Sequence, residues 1–176
     1  MKFRETEIPG AFLVTLERRE DHRGYFARAF CRAEFEANGL DPHIAQVNTG
    51  LTLKAGTVRG IHFQTEPHRD NKFVRCFRGA VFDVCVDLRR ESPAFRKSIG
   101  VELTEQNGTM LYLPEGCGHG YQALTDNAEI MYTTNTAYAP DCAQGVRYDD
   151  PAFAIDWPMD VIEISDADQG WPDFEF

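Results

Sequence analysis

Nowhere in the 176 residues does an apolar run approach the roughly 18–20 residues that crossing a bilayer requires, so no membrane partner is expected. There is no Cys-x-x-Cys pair; Cys31, Cys76, Cys85, Cys117 and Cys142 stand far apart. An odd number of cysteines without a secretion signal argues against a disulfide framework. The first twelve residues, MKFRETEIPGAF, mix both charges and lack the apolar centre of a secretory signal, which makes the cytoplasm the expected compartment. Positive charge is scarce: 18 Lys and Arg against 28 Asp and Glu, a net charge of −10. A nucleic-acid partner needs a basic face and is not expected. A small anionic ligand is compatible with this balance, because Arg23, Arg28, Arg59, Lys72 and Arg75 fall near expected strands and can form a local positive patch. Low-complexity tracts, repeats and linkers are missing too, so one domain over 1–176 is expected.

Helical periodicity is nearly absent. It is confined to 32–38, which ends at Gly39, and to a short turn near 159–168. What fills the chain instead is short apolar runs between turn signals. Residues 11–17, 24–30, 44–53, 57–64, 72–78, 80–88, 98–104, 109–113, 119–124 and 128–134 read as strands. Residues 80–88 show the period of two most clearly. Phe82, Val84, Val86 and Leu88 take one face, and Val81, Asp83, Cys85 and Asp87 the other. Many strands with few helices give a sandwich or jelly roll, whose open sheet edge favours pairing with a second copy.

His62 stands in the middle of an apolar strand, in Arg59-Gly60-Ile61-His62-Phe63-Gln64. Lys72 opens the next strand, which an antiparallel pairing would bring close to it. Two cationic groups facing one interior volume suit a negative ligand better than they suit stability. His119 lies between Gly118 and Gly120, where backbone or ligand can approach closely. Tyr132 sits on a strand beside Ile130 and Met131 and reads equally well as core. Cys117, near His119, is a conceivable nucleophile, yet nothing in the pattern activates it. A metal set of His62, Glu66, His68 and His119 lacks a His-x-His pair, since Gly60 and Gln64 flank His62 at that spacing.

In this order and spacing, several segments resemble the dTDP-4-dehydrorhamnose 3,5-epimerase (RmlC) family over roughly residues 3–168. They are Asp21-His22-Arg23-Gly24-Tyr25-Phe26, Gln46-Val47-Asn48, Arg59 through Gln64, and Lys72-Phe73-Val74-Arg75. Asp87-Leu88-Arg89, Gly118-His119-Gly120, Tyr132, Tyr138-Ala139-Pro140 and Asp156-Trp157-Pro158 continue the match. The resemblance implies an all-β, cupin-like jelly roll with a few short helices. It also implies a homodimer with strands exchanged at the interface, no metal or organic cofactor, and a nucleoside-diphosphate 4-keto-6-deoxy sugar as substrate. By the same analogy His62 is the base, Tyr132 the acid and Asp168 the orienter of the base. Arg23, Arg59, Lys72, His119, Gln46 and Asn48 bind substrate, with Phe26 and Tyr138 available to stack on it. Three positions depart from the family pattern, and all touch ligand recognition: Arg28 and Ala143 stand where it has glutamates, and Ala137-Tyr138 where it has two tyrosines. Arg28 is kept as a substrate-binding candidate.

The chemistry suits these residue types. Carbons beside a ketone release protons because the carbanion delocalises onto the carbonyl oxygen. An imidazole titrates near neutrality and can remove such a proton, whereas a phenol arrives protonated and can give one. Lys72 is the candidate partner of the enolate oxygen. Guanidinium forks suit a diphosphate. Other readings of the same residues are epimerisation at one carbon only, a ketoisomerase of a related sugar, a non-catalytic jelly roll binding sugar nucleotides, and a metal-dependent cupin.

Overall fold

The structure, a computed structural model, describes residues 1–175; the last residue of the expected domain, Phe176, lies outside the described residues. Six strands form one sheet in the order β1 (Lys2–Glu5), β2 (Phe12–Thr15), β10 (Thr109–Leu113), β7 (Lys72–Arg78), β12 (Ala128–Thr134) and β5 (Gln46–Thr52). Five form the second, in the order β13 (Ala143–Gly145), β6 (Val58–Gln64), β11 (Cys117–Ala123), β8 (Ala80–Asp87) and β9 (Ser98–Thr104). A two-stranded ribbon of β3 (Arg19–Asp21) and β4 (Gly24–Phe26) stands apart from both sheets. Two short helices, α1 (Arg32–Ala37) and α2 (Asp166–Gln169), complete the all-β, cupin-like jelly roll.

Strand β8 shows why the sheets stack. Its Val81 and Cys85 point between the sheets, where they meet Val74, Leu111 and Ile130 from the six-stranded side. Its Val84 and Val86 point outward into a second cluster with Ile61, Val146 and Phe153. The period of two was legible, but both faces are buried, because the chain after β13 folds back over the outside of the five-stranded sheet. Gly100 on β9 belongs to this packing: a Cβ there would collide with the Phe82 ring.

Helix α1 is too short to be stable alone. It is held by Phe35, which packs its ring against Phe3, Phe73 and Tyr112 on the outer face of the six-stranded sheet. Burying such a side chain stabilises by about 1.5–3 kcal/mol. The helix stops at Asn38, and Gly39 takes the left-handed conformation (φ +73°) that lets the chain turn away. The other half of that outer face is bare: Val47, Leu51 and Phe77 are 57%, 45% and 44% exposed.

Several sequence expectations need correction. The strand expected over 24–30 ends at Phe26, and the helical turn expected over 159–168 is confined to Asp166–Gln169. β1, β3 and β13, of 4, 3 and 3 residues, are too short to show a period. Strands β6 and β7 do not pair. They belong to opposite sheets, so His62 and Lys72 face one interior from two walls instead of standing side by side.

Candidate functional site

One end of the space between the sheets is packed with apolar side chains; the other holds a cavity of about 840 Å³. Nine of the twelve residues expected at the site line it: His62, Tyr132, Asp168, Lys72, Gln46, Asn48, Arg59, His119 and Tyr138. Arg23, Phe26 and Arg28 do not. Arg23 is exposed on the β3–β4 ribbon and paired with Asp21, Phe26 is 68% exposed, and Arg28 pairs with Glu34 of α1. Arg75 lies over the Phe77 ring, outside the cavity wall. The expected patch of five cations therefore reduces, within the cavity, to Arg59 and Lys72.

A break in β6 puts two key side chains on one face. Arg59 and His62 are three residues apart, which in a regular strand means opposite faces. On β11 their partners Tyr121 and His119 are only two apart, so β6 carries a β-bulge between them. Both Arg59 and His62 therefore face the cavity. Gly60 makes the bulge possible. Its φ is +118°, and a Cβ there would lie 2.6 Å from Gly120 Cα and 2.8 Å from the His119 carbonyl. The glycines beside His119 thus serve the close crossing of two strands.

His62 Nε2 lies 2.5 Å from Asp168 Oδ1. The His62 side chain is 50% exposed to the cavity and that of Asp168 only 9%. Asp168 reaches this position through α2: Ser165 caps the helix by accepting the Asp168 N–H, and Trp171, just beyond, packs where Gly145 leaves no Cβ. Burial opposes ionisation of Asp168. The His62 hydrogen bond, the Gly60 N–H and Ser165 outweigh it and hold the carboxyl below the usual carboxylate range. An ionised carboxylate only accepts, so Nε2 carries the proton and the other ring nitrogen is free to take one.

A second such pair lies opposite. His119 Nε2 meets Asp83 Oδ1 of β8 at 2.8 Å, with both side chains buried. Burial pushes the Asp83 carboxyl up, against the pull of His119. The Tyr132 ring centre is 6.3 Å from that of His119. Burial, and then the charge of Asp70, raise the Tyr132 phenol above its ordinary range, so it is protonated at neutral pH. Lys72 Nζ is 2.7 Å from Asp70 Oδ2, and both side chains are buried. Arg59 is held by two neutral partners, the Thr52 hydroxyl at 3.1 Å and the Leu51 carbonyl at 3.2 Å. Gln46 Oε1 accepts the Tyr138 N–H, setting that exposed ring at the cavity mouth.

Sequence reasoning missed Asp83 and Asp70. Asp83 had a signal, an acid on the inward face of an apolar strand; Asp70 looked like an ordinary turn residue. Cys117 is a core residue, 2% exposed. The conceivable metal set does not assemble: Glu66 and His68 are not part of the cavity wall, and among the described residues no group of three or more His, Cys, Asp or Glu converges as ligands would.

A jelly roll with a carboxylate-held imidazole and a protonated phenol in one cavity is a site for moving protons on a small molecule. The chain matches the family described as dTDP-4-dehydrorhamnose 3,5-epimerase over residues 5–175. It is 38% identical over 173 residues to the dTDP-4-dehydrorhamnose 3,5-epimerase of Methanothermobacter thermautotrophicus, covering 97% of this chain and 92% of that one. It is 41% identical over 170 residues to the dTDP-4-dehydrorhamnose 3-epimerase of Streptomyces niveus, covering 96% and 82%. The crystal structure of the Bacillus anthracis dTDP-4-dehydrorhamnose 3,5-epimerase with TDP and PPi bound superposes with a TM-score of 0.94 at 34% identity, covering 98% and 99%. This chain belongs to the dTDP-4-dehydrorhamnose 3,5-epimerase family and is a carbohydrate epimerase. Among the described residues no helix is long and apolar enough to cross a membrane.

Proposed function

We propose that His62 and Tyr132 are the base and acid of a dTDP-4-keto-6-deoxyglucose 3,5-epimerase acting in deoxysugar biosynthesis. The observation that carries this reading is that the two side chains line one cavity from opposite sheets, His62 from β6 and Tyr132 from β12. Inverting a carbon means removing a proton from one face of the ring and returning one to the other. A sugar between the two sheets meets a base on one side and an acid on the other. Asp168 keeps His62 in the accepting tautomer and stabilises the imidazolium that forms. The Lys72 ammonium, on the same wall as Tyr132, balances the oxygen that turns negative as the carbanion delocalises. Arg59 answers the diphosphate, His119 the sugar hydroxyls, and Gln46, Asn48 and Tyr138 the nucleoside end.

The experiment follows solvent deuterium into the sugar by NMR. The unmodified protein is expected to label the carbons on both sides of the ketone and invert them. Tyr132→Phe is expected to label without inverting. Unimpaired inversion by that variant removes Tyr132 as the acid. The 41% identity to a 3-epimerase favours a second reading, inversion at one carbon only. Label confined to one carbon selects it.

The active form in this reading is a homodimer. Val47, Leu51 and Phe77 form a bare apolar sheet face, and Arg23 and Phe26 stand on a ribbon outside their own cavity. A second copy on that face covers the apolar surface and brings the ribbon to the neighbouring site. Arg23→Ala and His62→Ala subunits, each inactive alone, should regain activity when mixed, because one composite site of the hybrid is intact. No gain on mixing ends the shared-site reading.

A further inference from the structure

Three groups on the cavity wall each have a carboxylate of their own: His62 has Asp168, His119 has Asp83, and Lys72 has Asp70. The reaction as read above uses the first pair for the base and the second for binding. It leaves Asp70 without a part. Asp70 lies two residues before Lys72, where the chain enters β7, and is 6% exposed. Among the described residues only one of its oxygens is engaged: Oδ2 bonds the ammonium, and Oδ1 is buried with no hydrogen-bond partner. A carboxylate kept only for stability is ordinarily satisfied at both oxygens, and one left half-bonded in the interior works against stability. Its presence there points to the site it borders.

The register shows which group it acts on. In the β7–β12 pairing Lys72 stands opposite Thr134, and Val74 opposite Tyr132, so Lys72 and Tyr132 are diagonal neighbours on the inward face. Other polar groups face Tyr132 as well: His62 from β6, His119 and Tyr121 from β11, and Asp83 behind His119. Burial raises the phenol most, and the charge of Asp70 adds to it.

We propose that Asp70 is a positioning residue of the proton-transfer site: its carboxylate fixes the Lys72 ammonium on the Tyr132 wall and balances its charge beside the phenol that gives up the proton. This rests on the reading of Tyr132 as acid and Lys72 as partner of the enolate oxygen. The pair also moderates the field of the ammonium. Asp70 balances the Lys72 charge in the resting site, so the ammonium faces the oxygen at short range without drawing the proton off the neighbouring phenol.

The test is the dependence of kcat on pH for the full-length protein and for Asp70→Asn, Asp70→Gln and Asp70→Glu. If the unmodified protein neither exchanges nor epimerises, the functional reading itself fails. With that protein active, the neutral variants should lose activity on the alkaline side earlier. Their limb should move down by on the order of one pH unit, since the Lys72 ammonium, left unbalanced on the Tyr132 wall, draws the phenol proton off. Asp70→Glu should keep the original limb with a lower kcat, because the charge remains and only its position changes. A merely structural role would lower the melting temperature and leave the limb where it was. Coincident limbs for the unmodified protein and a folded neutral variant overturn the proposal. So does a crystal structure of the unmodified protein in which Lys72 Nζ lies beyond hydrogen-bond reach of Asp70, a result that does not depend on any variant folding.

Discussion

His62 and His119 are paired residues on β6 and β11, and each is bonded through Nε2 to an aspartate. The first side chain is 50% exposed, the second 8%. Their carboxylates differ in the opposite sense: Asp168 is held below the usual range, whereas burial lifts Asp83 above it. Identical partners thus make two different devices. A base needs one ring nitrogen within reach of the substrate and an ionised carboxylate ready to balance the imidazolium, which is the His62 arrangement. A buried pair with a reluctant carboxylate resists a change of charge and suits a fixed hydrogen-bonding post. Exposure, set by the bulge at Gly60 and by α2, separates the two arrangements.

The sharpest way to break this contrast is to remove each ring in turn. His62→Ala should cut solvent-deuterium exchange by on the order of 10²–10⁴, the usual worth of a general base. His119→Ala should exchange label at near-normal kcat with KM raised, the loss of one hydrogen bond to a charged group being about 1.5–3 kcal/mol. Similar losses of kcat in both variants would erase the distinction.

Removing the carboxylates reverses the ranking when stability is measured. Asp83→Ala strands His119 in the interior without its hydrogen-bond partner and should cost about 1–3 kcal/mol in urea unfolding. Asp168→Ala leaves a half-exposed imidazole that turns to water, and should cost about 1 kcal/mol. Equal shifts of the two midpoints would refute the difference in burial.

The smallest effect is on alkaline stability. Burial raises Tyr121 and Tyr132, lifts Tyr112 to about 12 and Cys76 to about 11. The unfolded chain releases these protons first, so it binds fewer than the folded one and stability falls as pH rises. The contribution is whole below the ordinary thiol and phenol range and is lost progressively above it. The melting temperature should decline from about pH 9 upward, by less in Tyr132→Phe than in the unmodified protein. A flat profile to pH 11 would contradict the burial of these groups.

The strands of the core were legible wherever a run was long enough to show its period, as at 80–88. The ribbon strand β3 and the edge strand β13 were not, because three residues carry no period. His62 stood out because an imidazole interrupts an apolar strand. That Arg59 shares its face was hidden, since a bulge inverts the parity that a sequence reader must assume. Asp83 could have been noticed on the inward face of β8; Asp70 could not, because nothing local distinguishes a turn aspartate from a buried counter-ion. Arg23, Phe26 and Arg28 were grouped with the cavity from the resemblance, yet within one chain they stand outside it.

By itself the sequence determined an all-β chain, an acidic protein without a basic face, and a histidine, a lysine and a tyrosine on three separate strands. Periodicity and composition suffice for these, because they depend on neighbours along the chain. Only the tertiary structure decided that His62 and Lys72 belong to opposite sheets, that Arg59 and His62 look the same way, and that each imidazole and the ammonium has its own carboxylate. Those facts depend on which strands pair and where a bulge shifts the register, and such contacts join residues up to 108 positions apart, as between Gly60 and Asp168.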